Sequence, residues 1–423
     1  MSDHTIHLAP LVLSVTGSPI SDGAVAVADG LIVGVGLRQN LLKESLQAEI
    51  VEWKGVLIPG LVNAHTHLQF TSFTAVGAKP HANYVAWSER FVDEYEGRKH
   101  EDWGNTATRG AEMALATGTT AFADVVTDVE ALNTLVDLGV AGVSYLELIG
   151  VDEMAWKTSV EQKVMSILRD ARRTDAARIG ISPHAPYSVD EPVLQEVAAL
   201  ARREGMRLHL HLAESDTEDS YYRTGSGALA ERVTARVGRR WSILARDGVG
   251  VGAAEFADSC GLLGTDSHVA HGVYLGPEGR SILRERGTFV ALCARSNLTV
   301  GIDPPPVADF LEERSPIAVG TDSLGSNISL DLLEEVALLR QLAVAGGYRN
   351  PNLDRQLIEA ATIGGATALG LANQVGSIEV GKRADFAVFD IDPEPRDLSR
   401  RLVEQGAGTC LATIVSGTVR WQR

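Results

Sequence analysis

Cysteine is scarce in this chain. Cys260, Cys293 and Cys410 are the only three. Widely spaced and odd in number, they argue for reduced thiols in a cytoplasm rather than for a disulfide framework. None forms a CxxC pair, so cysteine is a poor metal candidate. Positive charge is also short, with Lys+Arg 38 against Asp+Glu 55 and a net charge of −17. That deficit argues against a nucleic-acid or anionic-membrane surface, though not against a nucleoside-like ligand held in a pocket. No apolar run approaches the roughly 20 residues that span a bilayer. The opening MSDHTIHLAP lacks a basic stretch followed by an apolar one, so no signal peptide is expected. Short-period repeats and low-complexity tracts are missing too.

What is present is an ordinary globular composition, 45% hydrophobic and 22% charged over 423 residues. This is length enough for one large domain and a smaller module. Both ends read as short strands and turns: HLAPLVLSV and GAVAVADGLIVGVG at the start, VGSIEVGKRADFAVFDID and TCLATIVSGTVRWQR at the finish. Between them apolar runs alternate with helical patterns such as DEPVLQEVAALARREG, the rhythm of βα units. Eight strand candidates emerge: LIPGLVNAHTHL, TTAFADVV, AGVSYLELIG, RIGISPHAPYS, RLHLHLAE, SHVAHGVYL, TFVALCARSN and IAVGTDSL. The expected fold is α/β, a (β/α)8 TIM-type barrel over 58–374. Residues 1–57 and 375–423 are expected to form a small composite β-sandwich. Nearly every polar outlier falls at the C-terminal end of its strand, the face that carries chemistry in barrel enzymes.

Those outliers are mostly histidines. His65 and His67 in NAHTHL, and His209 and His211 in HLHLAE, stand two residues apart, which on a strand turns both rings to one side. SHVAHGVYL adds His268 and His271, and AVGTDSL ends an apolar strand with Asp322. Buried imidazoles and a buried carboxylate are costly without partners. Converging from several strand ends, they make an N/O set suited to zinc or ferrous iron. Glu214 follows just past the HLHL strand.

PGLVNAHTHL, HLHLAE, VAHGVYL, CARSNL and VGTDS, in this order, resemble the amidohydrolase superfamily, in its branch of cytosine, guanine and adenosylhomocysteine deaminases and chlorohydrolases. GSIEVGKRADFAVFD is similar to that family's return into a composite sandwich. The resemblance implies one divalent ion, zinc or else ferrous iron, held by His65, His67, His211 and Asp322, with His209 in support. Binuclear relatives use a lysine near the end of the fourth strand, and RIGISPHAPYS contains none. The resemblance further implies Glu214 and His271 as catalytic groups, with Asp322 doubling as ligand and proton acceptor. Deaminases of the branch keep both Glu214 and His271, which points to hydrolysis of an aromatic C–NH2 bond and release of ammonia.

For the substrate, His184 and Tyr187 of SPHAPYS end one strand, Gln69 lies two residues past His67, and Arg295 sits in CARSN. His184 is expected at the substrate ring and Gln69 at the rim. Arg295 can pair with a substrate carboxylate or form a surface ion pair. SPHAPYSV, EDSYYRTGSG and GTDSLGSNISLDLLEEVALLRQL resemble the bacterial aminodeoxyfutalosine deaminases of menaquinone biosynthesis. By that resemblance Tyr221, Tyr222 and Arg223 belong to a loop closing over an adenine nucleoside that carries a benzoate. CARSN holds Ala294 where the family pattern has proline. Other readings are an adenosylhomocysteine- or guanine-type deaminase, a triazine chlorohydrolase, or a non-catalytic scaffold. The expected partner is a small molecule, with no nucleic acid or membrane; homo-oligomerisation is left open.

Overall fold

Among the residues that the computed structural model describes, 4–44 and 47–423, sixteen strands form two sheets. The chain opens with β1 (His4–Val12), β2 (Ile20–Ala28), β3 (Leu31–Leu37), β4 (Glu49–Glu52) and β5 (Val56–Pro59). Asp29 and Gly30 turn β2 into β3 with φ of 51° and 76°, the left-handed pair that a tight Asp-Gly hairpin requires. The barrel follows as β6 (Leu61–Thr66), β7 (Thr119–Val126), β8 (Ala141–Glu147), β9 (Ala177–Ser182), β10 (Leu208–Leu212), β11 (Ser267–His271), β12 (Phe289–Leu292) and β13 (Ile317–Val319). The chain then returns through β14 (Phe386–Phe389), β15 (Cys410–Val415) and β16 (Thr418–Gln422).

The first sheet joins both ends of the chain, because β5 pairs antiparallel with β14 and parallel with β1. The composite module is therefore one continuous eight-stranded sheet. One boundary moves. The run LIPGLVNAHTHL, expected as a single barrel strand, breaks at Gly60, and residues 58 and 59 pair with Ala387 and Phe386 in the terminal sheet. Gly60 leaves no room for a side chain, since a Cβ there would lie 2.0 Å from Thr120 Oγ1.

The second sheet runs β6 to β13 in chain order with every neighbouring pair parallel, the (β/α)8 arrangement. Its strands are almost wholly buried, as in a sheet covered on both faces. First and last strands are stitched by Asn63, whose Nδ2 donates to Thr321 Oγ1 at 2.7 Å while its Oδ1 accepts from Thr321 N at 3.1 Å. Gly320 lets them close, because a Cβ there would stand 2.7 Å from His65 Cβ. Barrel and terminal sheet share one apolar core, with Leu11, Ile58 and Phe389 packed among barrel residues such as Leu115 and Phe122. No described helix is long and apolar enough to cross a membrane.

Candidate metal centre and active site

The parallel strands aim their C-terminal ends at one mouth, and the histidines converge there. His65, His67 and His211 each offer a ligand atom within 4.8 Å of the others, as do His65, His271 and Asp322. His67 Nε2 and His211 Nε2 are 3.3 Å apart. Asp322 Oδ1 lies 3.6 Å from His65 Nε2 and 3.7 Å from His67 Nε2. Two ligands bonded at about 2.1 Å to one tetrahedral ion stand roughly 3.4 Å apart, so these separations fit a single cation.

Hydrogen bonds at the far side of the His211 and His65 rings decide which nitrogen carries a lone pair. His211 Nδ1 meets the His184 carbonyl at 2.8 Å and must donate, which leaves Nε2 as the lone pair. His209 Nδ1 likewise donates to the His268 carbonyl at 3.0 Å. Its Nε2 then accepts from His65 Nδ1, 2.7 Å away. His65 Nε2 is left facing the cluster, and among the described residues it has no hydrogen-bond partner. An orphaned buried lone pair is costly unless a cation takes it. Burial holds these rings neutral: His65 falls well below its ordinary range, and His67 to about 4. Uncharged lone pairs beside a buried carboxylate are the chemistry a divalent ion requires. The donor set fits the metal.

Asp322 is held firmly. Its Oδ2 accepts from Ser296 Oγ at 2.6 Å, and its Oδ1 from Ser323 N at 2.8 Å. The backbone is strained at three positions of this mouth, with φ of 35° at His184, 74° at His271 and 59° at Asp322. Left-handed geometry at such residues costs on the order of 1–3 kcal/mol each. At His184 the carbonyl accepts from both His211 N and His211 Nδ1, at 2.7 and 2.8 Å.

Beside the cluster lies the proton machinery. Glu214 is buried, and its Oε1 stands 3.7 Å from His271 Nε2. Burial, then the nearby Asp322 and Glu218 carboxylates, raise the Glu214 carboxyl well above its usual range, against a lowering contact with the Tyr84 hydroxyl. Glu218, not anticipated from sequence, fixes the Glu214 loop: its carboxylate accepts from the backbone nitrogens of Ala213, Glu214 and Ser215 at 2.9, 2.7 and 3.2 Å. Asn297 Nδ2 donates to His271 Nδ1 at 3.1 Å, so the hydrogen of that ring sits on Nε2 and faces Glu214.

The expected substrate contacts divide. His184 stands at the mouth, its Nδ1 2.8 Å from Ser188 Oγ. Tyr187 meets Tyr84 hydroxyl to hydroxyl at 3.1 Å. Gln69 is not a rim contact. It is buried, its Nε2 donating to Asp128 and its Oε1 accepting from Thr127 N and Asp128 N, which braces the loop after β7. Arg295 turns away to an ion pair with Glu334; the working residues of CARSN are its neighbours Ser296 and Asn297. Tyr222 points inward, stacked on Phe256 at 5.1 Å. Arg223 is exposed and pairs with Asp219 one helical turn back. The expected closing loop is instead the helix Thr217–Thr224.

Comparison with known proteins bears on the family and the fold. The amidohydrolase family model matches residues 56–420. The chain is 30% identical over 418 residues to the 5-methylthioadenosine/S-adenosylhomocysteine deaminase of Moorella thermoacetica, covering 96% of this chain and 90% of that protein. Its fold matches Helicobacter pylori aminofutalosine deaminase in complex with methylthio-coformycin (TM-score 0.83, 23% identity, 99% and 100% of the two chains). It also matches an adenosine deaminase of Xanthomonas campestris with bound zinc (TM-score 0.79, 24% identity, 99% and 93%). With the family model spanning most of its length, the chain belongs to the amidohydrolase family and is a hydrolase that acts on C–N bonds.

Proposed function

We propose that this protein is a hydrolytic deaminase of adenosine-type nucleosides, replacing a ring amine by oxygen with water and releasing ammonia. The observation that carries the reading is the pair Glu214 and His271, buried side by side against the His/Asp cluster. His65, His67, His211 and Asp322 would hold a divalent ion, zinc before ferrous iron, which would supply Lewis acidity to activate water near neutral pH. Glu214, whose carboxyl burial raises well above its usual range, is suited to protonate a ring nitrogen and then to take the attacking water's two protons in turn, passing the first to the departing amine and keeping the second. His271 presents Nε2–H to the oxygen that gains negative charge.

Among such nucleosides, 6-aminodeoxyfutalosine, a menaquinone precursor, stands first on the segments SPHAPYSV and EDSYYRTGSG. Its benzoate needs a cation other than Arg223 or Arg295, both already paired. Arg232 is a candidate. It hydrogen-bonds Ser88, one turn along the helix Tyr84–Gly97 from Tyr84, and has no carboxylate partner among the described residues. The three thiols are buried and unpaired, in keeping with a cytoplasmic setting.

Ammonia release from 6-aminodeoxyfutalosine, adenosine, 5′-methylthioadenosine, S-adenosylhomocysteine, guanine and an aminotriazine tests this reading. Turnover is expected for the adenine nucleosides, with 6-aminodeoxyfutalosine fastest. Turnover of guanine or the triazine alone would overturn the assignment.

A further inference from the structure

Glu147 ends β8 at the barrel mouth, and neither the metal cluster nor the proton machinery uses it. Its Oε2 accepts from Thr127 Oγ1 at 2.6 Å. Its Oε1 is enclosed and has no hydrogen-bond partner among the described residues. A carboxylate oxygen left bare in this way is costly unless something completes it. The residues beside it narrow what that can be. Glu147, His184 and His211 each place a ligand-type atom within 4.8 Å of the others, the spacing of a second cation site. His211 rules that out, because Nδ1 donates to the His184 carbonyl and its single lone pair faces His67.

His184 offers something different. Ser188 Oγ donates its hydrogen to the Ala185 carbonyl at 2.8 Å, so it accepts from His184 Nδ1. The other nitrogen, Nε2, then carries a lone pair. Glu147 and His184, which bring ligand-type atoms within 4.8 Å of each other, thus each keep an acceptor, a carboxylate oxygen and an imidazole nitrogen, that no hydrogen bond among the described residues uses. A substrate group with two hydrogens satisfies both at once.

We propose that Glu147 and His184 form a twin-acceptor subsite that grips a two-hydrogen group of the substrate, with Glu147 as its specificity-determining member. The proposal rests on the nucleoside reading above. An adenosine-type substrate carries two such groups, the exocyclic amine and the vicinal 2′,3′-diol of the ribose. Either would be read by the same chemistry.

The test is Glu147→Gln, in which the side-chain carbonyl stays on Thr127 and an amide N–H turns into the subsite, donor against donor. Purified metal-loaded enzyme is assayed with adenosine, 2′-deoxyadenosine, 3′-deoxyadenosine and 6-chloropurine riboside. Metal content and thermal unfolding are measured alongside, and Glu147→Asp serves as a milder variant if Glu147→Gln folds poorly. For adenosine, kcat/KM is expected to fall about 10- to 100-fold, carried mostly by KM, the scale for losing a hydrogen bond to a charged group. If the amine is the partner, the loss vanishes with 6-chloropurine riboside, whose C6 substituent has no hydrogen. If the diol is the partner, the loss persists there and vanishes with a deoxynucleoside. A folded, metal-bound variant within about twofold of wild type on every substrate overturns the proposal, and so does an equal loss on all four. A wild-type enzyme inactive on all of these and on 6-aminodeoxyfutalosine overturns the function reading and this subsite with it; wild-type turnover with an indifferent Glu147 variant overturns the subsite alone.

Discussion

His7 in the terminal sheet and His65 in the barrel are both fully enclosed, yet their surroundings differ in kind. His7 is alone among apolar neighbours. Its Nδ1 accepts from Trp53 Nε1 at 3.2 Å, and Phe386 meets it edge-on with ring centroids 5.7 Å apart. Around His65 the rings of His67, His209, His211 and His271 all have centroids within 5.2 Å. Each of the two histidines keeps one nitrogen without a partner among the described residues. One bare nitrogen in a core is a tolerated defect. Several bare lone pairs aimed at one point, beside a carboxylate and on strained backbone, are a site. Burial of a histidine is uninformative; convergence is what separates the two regions.

The sharpest way to break that contrast is at the proton carrier. Glu214→Gln preserves shape and leaves the four proposed ligands untouched. It is expected to bind metal as wild type does while kcat falls about 10²- to 10⁴-fold, the usual scale for a general acid/base. Metal analysis together with steady-state turnover checks both halves. Near-normal activity would remove Glu214 from the chemistry.

The same contrast explains how much was legible beforehand. Two strands with histidines at alternate positions declare a shared face, because strand geometry fixes where every second side chain points. A buried Asp ending an apolar strand declares a partner. These signals are local, so the metal cluster and the eightfold rhythm of the barrel stood out in the sequence. Glu147, Glu218 and Asn297 did not. Glu147 and Asn297 are single polar residues whose meaning lies in what a distant segment brings against them, as when Asn297 meets His271 across the mouth; Glu218 spends its carboxylate on backbone nitrogens just before it in the chain, which no side-chain pattern announces. Gln69 and Arg223 fall elsewhere for the converse reason, and Arg295 takes the ion pair that was one of its two readings. A polar residue near a motif looks functional until the fold supplies it with Asp128, Glu334 or Asp219.

The terminal sheet offers a test of intermediate size. Burial lowers His7 from 6.5 to about 4. The folded form thus favours the neutral ring more strongly than the unfolded chain does. The resulting stability is fully present above pH 6.5 and is lost as pH falls towards 4. At roughly 1.4 kcal/mol for each pH unit, the loss is on the order of 3 kcal/mol. Urea unfolding of wild type and His7→Phe across this window should show a flatter pH slope in the variant, whereas parallel slopes would mean that His7 protonates freely in the folded protein.

The smallest predicted effect is the most diagnostic of convergence, since it concerns a histidine that touches no ion. His209 stands behind His65, takes its Nδ1 hydrogen and thereby turns the lone pair of Nε2 into the cluster. His209→Phe keeps the bulk but removes the acceptor, so His65 loses the bond that fixes its tautomer and its ring angle. Partners of this kind commonly contribute 10- to 100-fold to metal affinity. A chelator competition titration on the purified variant should show a loss of about that size, and His209→Gln, which restores an acceptor, should recover part of it. If both variants bind metal as tightly as wild type, His209 is merely another packed imidazole, no different in kind from His7.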